Sequence, residues 1–169
     1  MKEKKQDKTF VVAVSIVVII LVVLLFVMFI LPRISARVRL QRVLSGFEGA
    51  EGSDAVEVTD PKYDGGLLPT SVSAVLYTDD ATSLSQRIIE ITGGAKYREK
   101  RVSLAGSWDI SVSLRTDDGV FTLYFDEEEL YVANDVEQYI FVPSEKSREL
   151  YSDLYRELEN IIAQSANKG

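Results

Sequence analysis

The hydrophobic pattern divides the chain into one long apolar run and a body of short alternating segments. Residues 10–31 are 22 consecutive residues without a charge, and Ser15 is the only polar residue among them. At about 1.5 Å rise per residue, such a helix is roughly 33 Å long, enough to cross a hydrocarbon core of about 30 Å. The run exceeds the roughly 7 to 15 apolar residues of a cleavable signal peptide. We therefore expect an uncleaved transmembrane signal-anchor at 10–31, and the small residues around Ala36 leave processing there open.

Basic segments flank the apolar run on both sides. The N-terminal tail, 1–9, has four lysines, and the juxtamembrane segment, 32–44, has four arginines. We expect these arginines to contact lipid phosphates: Arg33, Arg37, Arg39 and Arg42. Ile34, Val38 and Leu44 are available for one helical face, so an interfacial helix and a plain stop-transfer flank both stay open. Because the cation counts are equal, the short lysine-rich tail decides the orientation and favours a cytoplasmic N-terminus with an extracytoplasmic body.

The first part of the body has the composition of a linker. Residues 45–70 are rich in glycine and acids, which is typical of a flexible, self-repelling segment. Within it, Val56 and Val58 alternate with polar residues and leave a short strand at 55–59 open. Organised structure, a domain over 71–169, is expected to begin at Ser71 with a strand that runs into Tyr77.

Helix and strand patterns then alternate through this domain. A helix capped by Asp79 or Asp80 is expected to end at Gly93. Strands are predicted at 97–104, 108–115, 121–125, 130–133 and 138–142, with tight turns between them and with Trp108 on the apolar face of the second. A last helix, from Ser144 to Gln164, has an apolar stripe of Leu150, Leu154, Leu158 and Ile161. The fold class is therefore an N-terminal transmembrane helix plus a small α+β domain, an antiparallel meander of four to six strands with two helices on one face.

Charge and composition exclude several function classes. Residues 1–42 hold eight Lys or Arg against two acids, and the rest holds eleven against twenty-four. An acidic body argues against nucleic-acid binding, which needs clustered cations. The chain has no Cys and no His, so thiolate chemistry, the usual proton shuttle and the commonest metal ligand are missing. In lacking cysteine, the body resembles extracytoplasmic domains of low-GC Gram-positive bacteria.

No constellation of side chains indicates catalysis, so we expect a non-enzymatic protein without a cofactor. Carboxylate-dependent hydrolysis is an alternative that requires two acids from different turns to meet in one cleft. The acidic run between two predicted strands is a candidate Ca²⁺ site, although a solvated turn is the simpler interpretation: Asp126, Glu127, Glu128 and Glu129.

Tyrosines are the remaining candidates for a partner surface. Tyr151 and Tyr155 lie one turn apart on the last helix, and Tyr124, Tyr131 and Tyr139 are predicted to share the sheet face opposite Phe121. Each tyrosine ring offers apolar area with a polar tip, so four of them form a candidate partner surface, with core packing as the alternative: Tyr131, Tyr139, Tyr151 and Tyr155. We expect a module that binds a protein or cell-wall partner beside the bilayer, or alternatively an accessory subunit held through its transmembrane helix.

Overall fold

The computed structural model describes residues 3–48, 55–60, 71–102, 108–117, 119–134 and 136–167. The chain divides into two compact units, Met1–Arg37 and Val38–Gly169. Helix α1 (Glu3–Leu25) is followed by a π-helical turn (Phe26–Ile30) and by helix α2 (Leu31–Glu48). The carbonyl of Phe26 accepts from the N–H of Leu31 in this turn. Pro32 has no N–H for the carbonyl four residues earlier, which is a physical reason for the wider turn beside it.

The apolar run is helical as the sequence predicts. Among the described residues, one helical stretch, Val11–Glu48, contains a window apolar enough to cross a membrane, with a mean hydropathy of 3.6 and none of the window buried. The large apolar side chains from Val11 to Leu31 are exposed in the structure. A long N-terminal helix with an apolar surface is compatible with a single-pass membrane anchor.

The second unit contains one antiparallel sheet and the remaining helices. Its strands are β1 (Ala55–Asp60), β2 (Val72–Leu76), β3 (Lys96–Val102), β4 (Ile110–Thr116), β5 (Gly119–Phe125), β6 (Leu130–Ala133) and β7 (Glu137–Val142). Helix α3 (Thr78–Thr92) precedes β3, and a 3₁₀ turn (Glu145–Ser147) leads into helix α4 (Arg148–Ala166). The strand order is β2-β1-β4-β5-β6-β7-β3. The α+β layout is confirmed, whereas the predicted number of four to six strands is wrong, because the sheet has seven strands in the described part of the chain.

Two strands, β1 and β3, extend the sheet beyond the predicted meander. β1, inside the stretch that the composition indicates as a linker, pairs with both β2 and β4, and its Val56 and Val58 have no exposed surface. Organised structure therefore begins before Ser71; the rest of the predicted linker, 49–54 and 61–70, lies outside the described residues. β3 pairs with β7 rather than with the following β4, so only β4 to β7 form a meander. Turn composition alone shows that a chain reverses, not which strand it joins.

One face of the sheet forms the core. Residues that face each other across paired strands share a side, and eight buried apolar residues of β1, β4, β5 and β6 fall on one side: Val56, Val58, Ile110, Val112, Leu114, Leu123, Phe125 and Leu130. α4 packs against this side, since the rings of Tyr151 and Phe125 have centroids 6.1 Å apart. On β6 and β7 the opposite side is also buried at Tyr131 and Ile140. The buried stripe of α4 includes Tyr151 and Tyr155, whereas Leu150 is 46% exposed, so the predicted stripe is rotated at its start.

α3 follows its prediction in position and differs in its cap. Leu84, Ile88 and Ile91 follow one another at i, i+4 and i+7, the spacing of one helical face, and all three are buried. Tyr77 occupies the cap position without a side-chain hydrogen bond, and Asp79 and Asp80 lie in the first turn. In the first turn, their negative charges interact favourably with the positive end of the helix dipole, and neither residue occupies the cap position.

The C-terminal half of α2 belongs to the folded domain. Leu40, Leu44 and Phe47 are buried, whereas Ile34 and Val38 are exposed, so of the three residues available for an interfacial face Leu44 packs into the domain instead. A Cβ added to Gly46 would lie 2.4 Å from ring atoms of Phe121. Glycine at this position lets α2 approach β5 closely, and the juxtamembrane helix ends in the domain core.

Candidate functional site

The sheet face opposite the core is lined by hydroxyl groups. Two rows of side chains cross it: Ser73, Thr59, Ser111 and Tyr124 form the first, and Val75, Glu57, Ser113 and Thr122 form the second. Four strands at about 4.8 Å spacing make each row roughly 14 Å long. We call these eight residues, together with Trp108, the hydroxyl face.

The hydroxyl groups of this face bond to one another across strands. Thr59 Oγ1 and Ser73 Oγ are 2.9 Å apart, and Ser113 Oγ and Thr122 Oγ1 are also 2.9 Å apart. The side chains of the hydroxyl face are partly or fully exposed, in contrast to the buried opposite side. Each hydroxyl is both a donor and an acceptor, so a pair retains bonding capacity toward a ligand.

Trp108 and Tyr124 supply an aromatic platform at one end of the face. Their ring centroids are 4.3 Å apart with a tilt of 45°. Strand alternation predicts Trp108 on the apolar side with Ile110, and this assignment is wrong. The regular strand begins only at Ile110, and Asp109 is a bend. This irregular backbone places the Trp108 ring against Tyr124, so sequence reasoning missed Trp108; no local signal distinguishes a strand residue from one just before it.

A second candidate site, the acidic cleft, is a cavity beside α4 and the sheet. It has a volume of about 510 Å³ and is lined by Tyr155, three apolar residues and four carboxylates. The carboxylates are those of Asp60, Asp109, Glu127 and Glu159. The hydroxyl of Tyr155 donates to Asp109 Oδ2 at 3.0 Å. The pKa of Tyr155 is raised above its usual range, mainly by burial and secondly by this hydrogen bond. The cleft thus brings together acids from a strand end, a bend, a turn and a helix.

The four tyrosines proposed as a partner surface are buried. Tyr151 is 2% exposed, Tyr131 and Tyr139 are each 4% exposed, and Tyr155 is 9% exposed. Packing, the alternative for these rings, therefore describes them in the structure. Tyr139 pairs with Val132 on the core side. The prediction that Tyr139 shares a face with Tyr124 is therefore wrong.

The acidic turn between β5 and β6 is held by internal hydrogen bonds. Asp126 Oδ1 accepts from the N–H groups of Glu128 and Glu129, at 2.9 and 2.7 Å. Tyr131 donates to Asp126, and Glu129 pairs with Arg98. Glu127 and Glu128 are exposed, and the described residues contain no group of three acids able to hold a metal ion. Asp126 acts here as a turn residue.

The predicted lipid-contacting arginines all lie on α2. The residues Arg33, Arg37, Arg39 and Arg42 are all exposed. Arg39 and Arg42 belong to the second unit, where the guanidinium carbon of Arg39 lies 5.1 Å from the centre of the Tyr139 ring. A cation over a ring at this distance is attracted to its π face.

Comparison of the chain with protein-family models, curated proteins and solved structures finds no match. The functional argument therefore rests on this chain's own residues.

Proposed function

We propose that the protein is a single-pass membrane protein whose acidic, extracytoplasmic α+β domain is a non-enzymatic binding module. The lipid bilayer is its first partner, through the apolar helix and the α2 arginines. The hydroxyl face carries the rest of the proposal and favours a cell-wall glycan as the second partner. The accessory-subunit alternative places the main contact on the exposed apolar side chains of α1 instead.

The composition of the hydroxyl face supports a glycan ligand. Glu57 is its single charged residue, so little charge has to be desolvated when an uncharged chain lies on it. Serine and threonine hydroxyls exchange hydrogen bonds with sugar hydroxyls, and an aromatic ring packs against the apolar face of a sugar. A hydroxyl row that ends at the Trp108–Tyr124 pair offers both interactions along one line.

Trp108 makes this proposal testable, because it is the only tryptophan in the chain. We expect its fluorescence to change when soluble cell-wall glycan fragments are titrated into the full-length protein in nanodiscs. Trp108→Phe removes the signal, so binding to that variant is measured by calorimetry. Stacking of a base on an aromatic ring contributes on the order of 1–3 kcal/mol, and with the lower part of that range for a sugar ring, Tyr124→Ala is expected to weaken binding roughly tenfold.

Glu159→Gln is the matched control, since Glu159 is exposed and lines the acidic cleft rather than the hydroxyl face. It should leave the titration unchanged. An unchanged Trp108 signal with no heat of binding would contradict a glycan ligand, and capture of the full-length chain by a protein through the same face would select the protein partner instead.

The acidic cleft favours one second candidate function, carboxylate-dependent hydrolysis. It satisfies the condition that acids from different elements meet in one cavity. We expect the full-length protein not to cleave cell-wall glycans. The hydrolase would be established by glycan cleavage that is lost in Asp109→Asn, provided that circular dichroism shows this variant to be folded.

A further inference from the structure

A line of cations marks one edge of the sheet in an otherwise acidic body. Residues 38–169 contain thirteen Lys or Arg against twenty-four Asp or Glu. β3 carries one acid, Glu99, and four of these cations: Lys96, Arg98, Lys100 and Arg101. β3 is an outermost strand, and among the described strands it pairs with β7 alone. At about 3.3 Å per residue, the line from Lys96 to Arg101 is roughly 17 Å long.

Arg39 extends the line onto α2. Its guanidinium carbon lies 5.1 Å from the centre of the Tyr139 ring, and Lys100 Nζ lies 6.0 Å from the same ring. Two cations that converge on one ring make α2 and β3 parts of one continuous surface. We call Arg39 and the four cations of β3 the basic edge.

Ion pairs within the domain leave the basic edge available. Lys100 Nζ donates to Glu137 Oε1 at 2.7 Å, Arg98 pairs with Glu129, and Arg101 pairs with Glu99. The side chains of these three cations are still 44–55% exposed. Exposed pairs are weak, and an arginine engaged by one carboxylate keeps further N–H donors. The carboxylates therefore orient the cations without removing them from solvent.

We propose that the basic edge docks the domain onto the anionic headgroups of the bilayer that anchors the chain. The inference rests on the anchoring in the proposed function and goes beyond it, because it assigns β3 a ligand. Charge complementarity selects this occupant, since phosphate-bearing lipid surfaces attract clustered Lys and Arg. Arg39 follows Leu31 by eight residues. Even a fully extended chain keeps it within roughly 29 Å of the end of the apolar run, so the tether supplies a high effective concentration.

The absence of cysteine allows a direct test, because a single introduced cysteine carries one fluorophore. Val102 ends β3 and is 76% exposed, and Val75 lies on β2 at the opposite edge and is 46% exposed. Six strand spacings of about 4.8 Å separate the two edges by roughly 29 Å. Energy transfer to a headgroup-labelled lipid is measured on the full-length chain, in nanodiscs of phosphatidylcholine alone or mixed with phosphatidylglycerol.

We expect transfer from Val102→Cys to rise in the anionic nanodiscs and to fall again at high salt, with a smaller change at Val75→Cys. Each charge removed should lower the ratio of docked to free domain about fivefold. Lys96→Gln combined with Arg101→Gln should therefore lower it roughly 25-fold. Arg115→Gln combined with Arg156→Gln removes the same charge from exposed sites elsewhere and should leave the ratio unchanged.

Equal transfer from Val102→Cys in the two lipid compositions would overturn the proposal, as would equal losses in the two double variants. The salt titration of the protein without charge substitutions keeps the test valid if the β3 variants fold poorly. If the domain proves to be anchored but shows no lipid-dependent transfer, docking fails while the proposed function stands; absence of the protein from membranes would remove both.

Discussion

The hydroxyl of Tyr151 ties α4 to the turn between β5 and β6. It donates to the carbonyl oxygen of Asp126 at 2.9 Å and also to that of Glu129. The ring is almost fully buried, and burial raises the pKa of Tyr151 above its usual range. One side chain thus joins the helix, the sheet and the acidic turn.

Tyr151→Phe should lower the free energy of unfolding by about 1–2 kcal/mol, because it removes a donor from two carbonyls, of which only that of Glu129 still accepts from the N–H of Asp126. It should also change the alkaline behaviour. A raised folded-state pKa means that this contribution is complete below about pH 10 and is lost as the pH rises further. The variant should therefore lose stability less steeply above pH 10, by up to about 1.4 kcal/mol per pH unit. Urea unfolding followed by Trp108 emission measures both effects; parallel pH profiles would contradict this role.

At the scale of elements, α2 is the part of the fold that differs most from the sequence prediction. Its last turns pack into the domain through Leu40, Leu44 and Phe47, and Gly46 lies against the ring of Phe121. An arginine-rich flank after an apolar run reads as a membrane boundary, and that reading hides the stripe of Leu40, Leu44 and Phe47.

Gly46→Ala tests this packing by its sign. At an open helical position, replacing glycine by alanine stabilises a helix by about 1 kcal/mol. Here the added Cβ meets the Phe121 ring, so we expect a loss of about 1–3 kcal/mol in the free energy of unfolding. Ser45→Ala, at an exposed neighbouring position, is the control, and Phe121→Ala should suppress the Gly46→Ala effect in the double variant. A stabilised Gly46→Ala protein would show that α2 does not pack here.

Local patterns predict most individual elements and little of their pairing. Val56 and Val58 alternate with more polar residues, as do Leu123 and Phe125. This pattern marks strands because one face of each strand is buried. The position of β3 beside β7 depends on long-range pairing, which leaves no trace in β3 itself. The sequence shows the residues of the hydroxyl face only as the polar positions between buried ones. Trp108 lies beside this face because the backbone bends at Asp109. The sequence leaves a partner surface and core packing open for the tyrosines, because a hydroxyl that bonds within the protein has the same sequence pattern as one that binds a partner.

For the whole molecule, the distribution of charge organises the account. The N-terminal part and the basic edge are positive, while the rest of the body carries a large excess of acids. Such a protein can hold one end of its domain at an anionic surface and keep its acidic body away from that surface. In the proposed function, the hydroxyl face then remains available to a ligand beside the membrane.

The side of the membrane on which the body lies is the central claim, and cysteine labelling tests it directly. Gln164 is exposed on α4, so Gln164→Cys offers an accessible thiol in a chain that has no other. With a membrane-impermeant maleimide, we expect labelling of Gln164→Cys in intact cells and of Lys4→Cys only after lysis. The reverse pattern would place the acidic domain in the cytoplasm and contradict the cell-wall ligand.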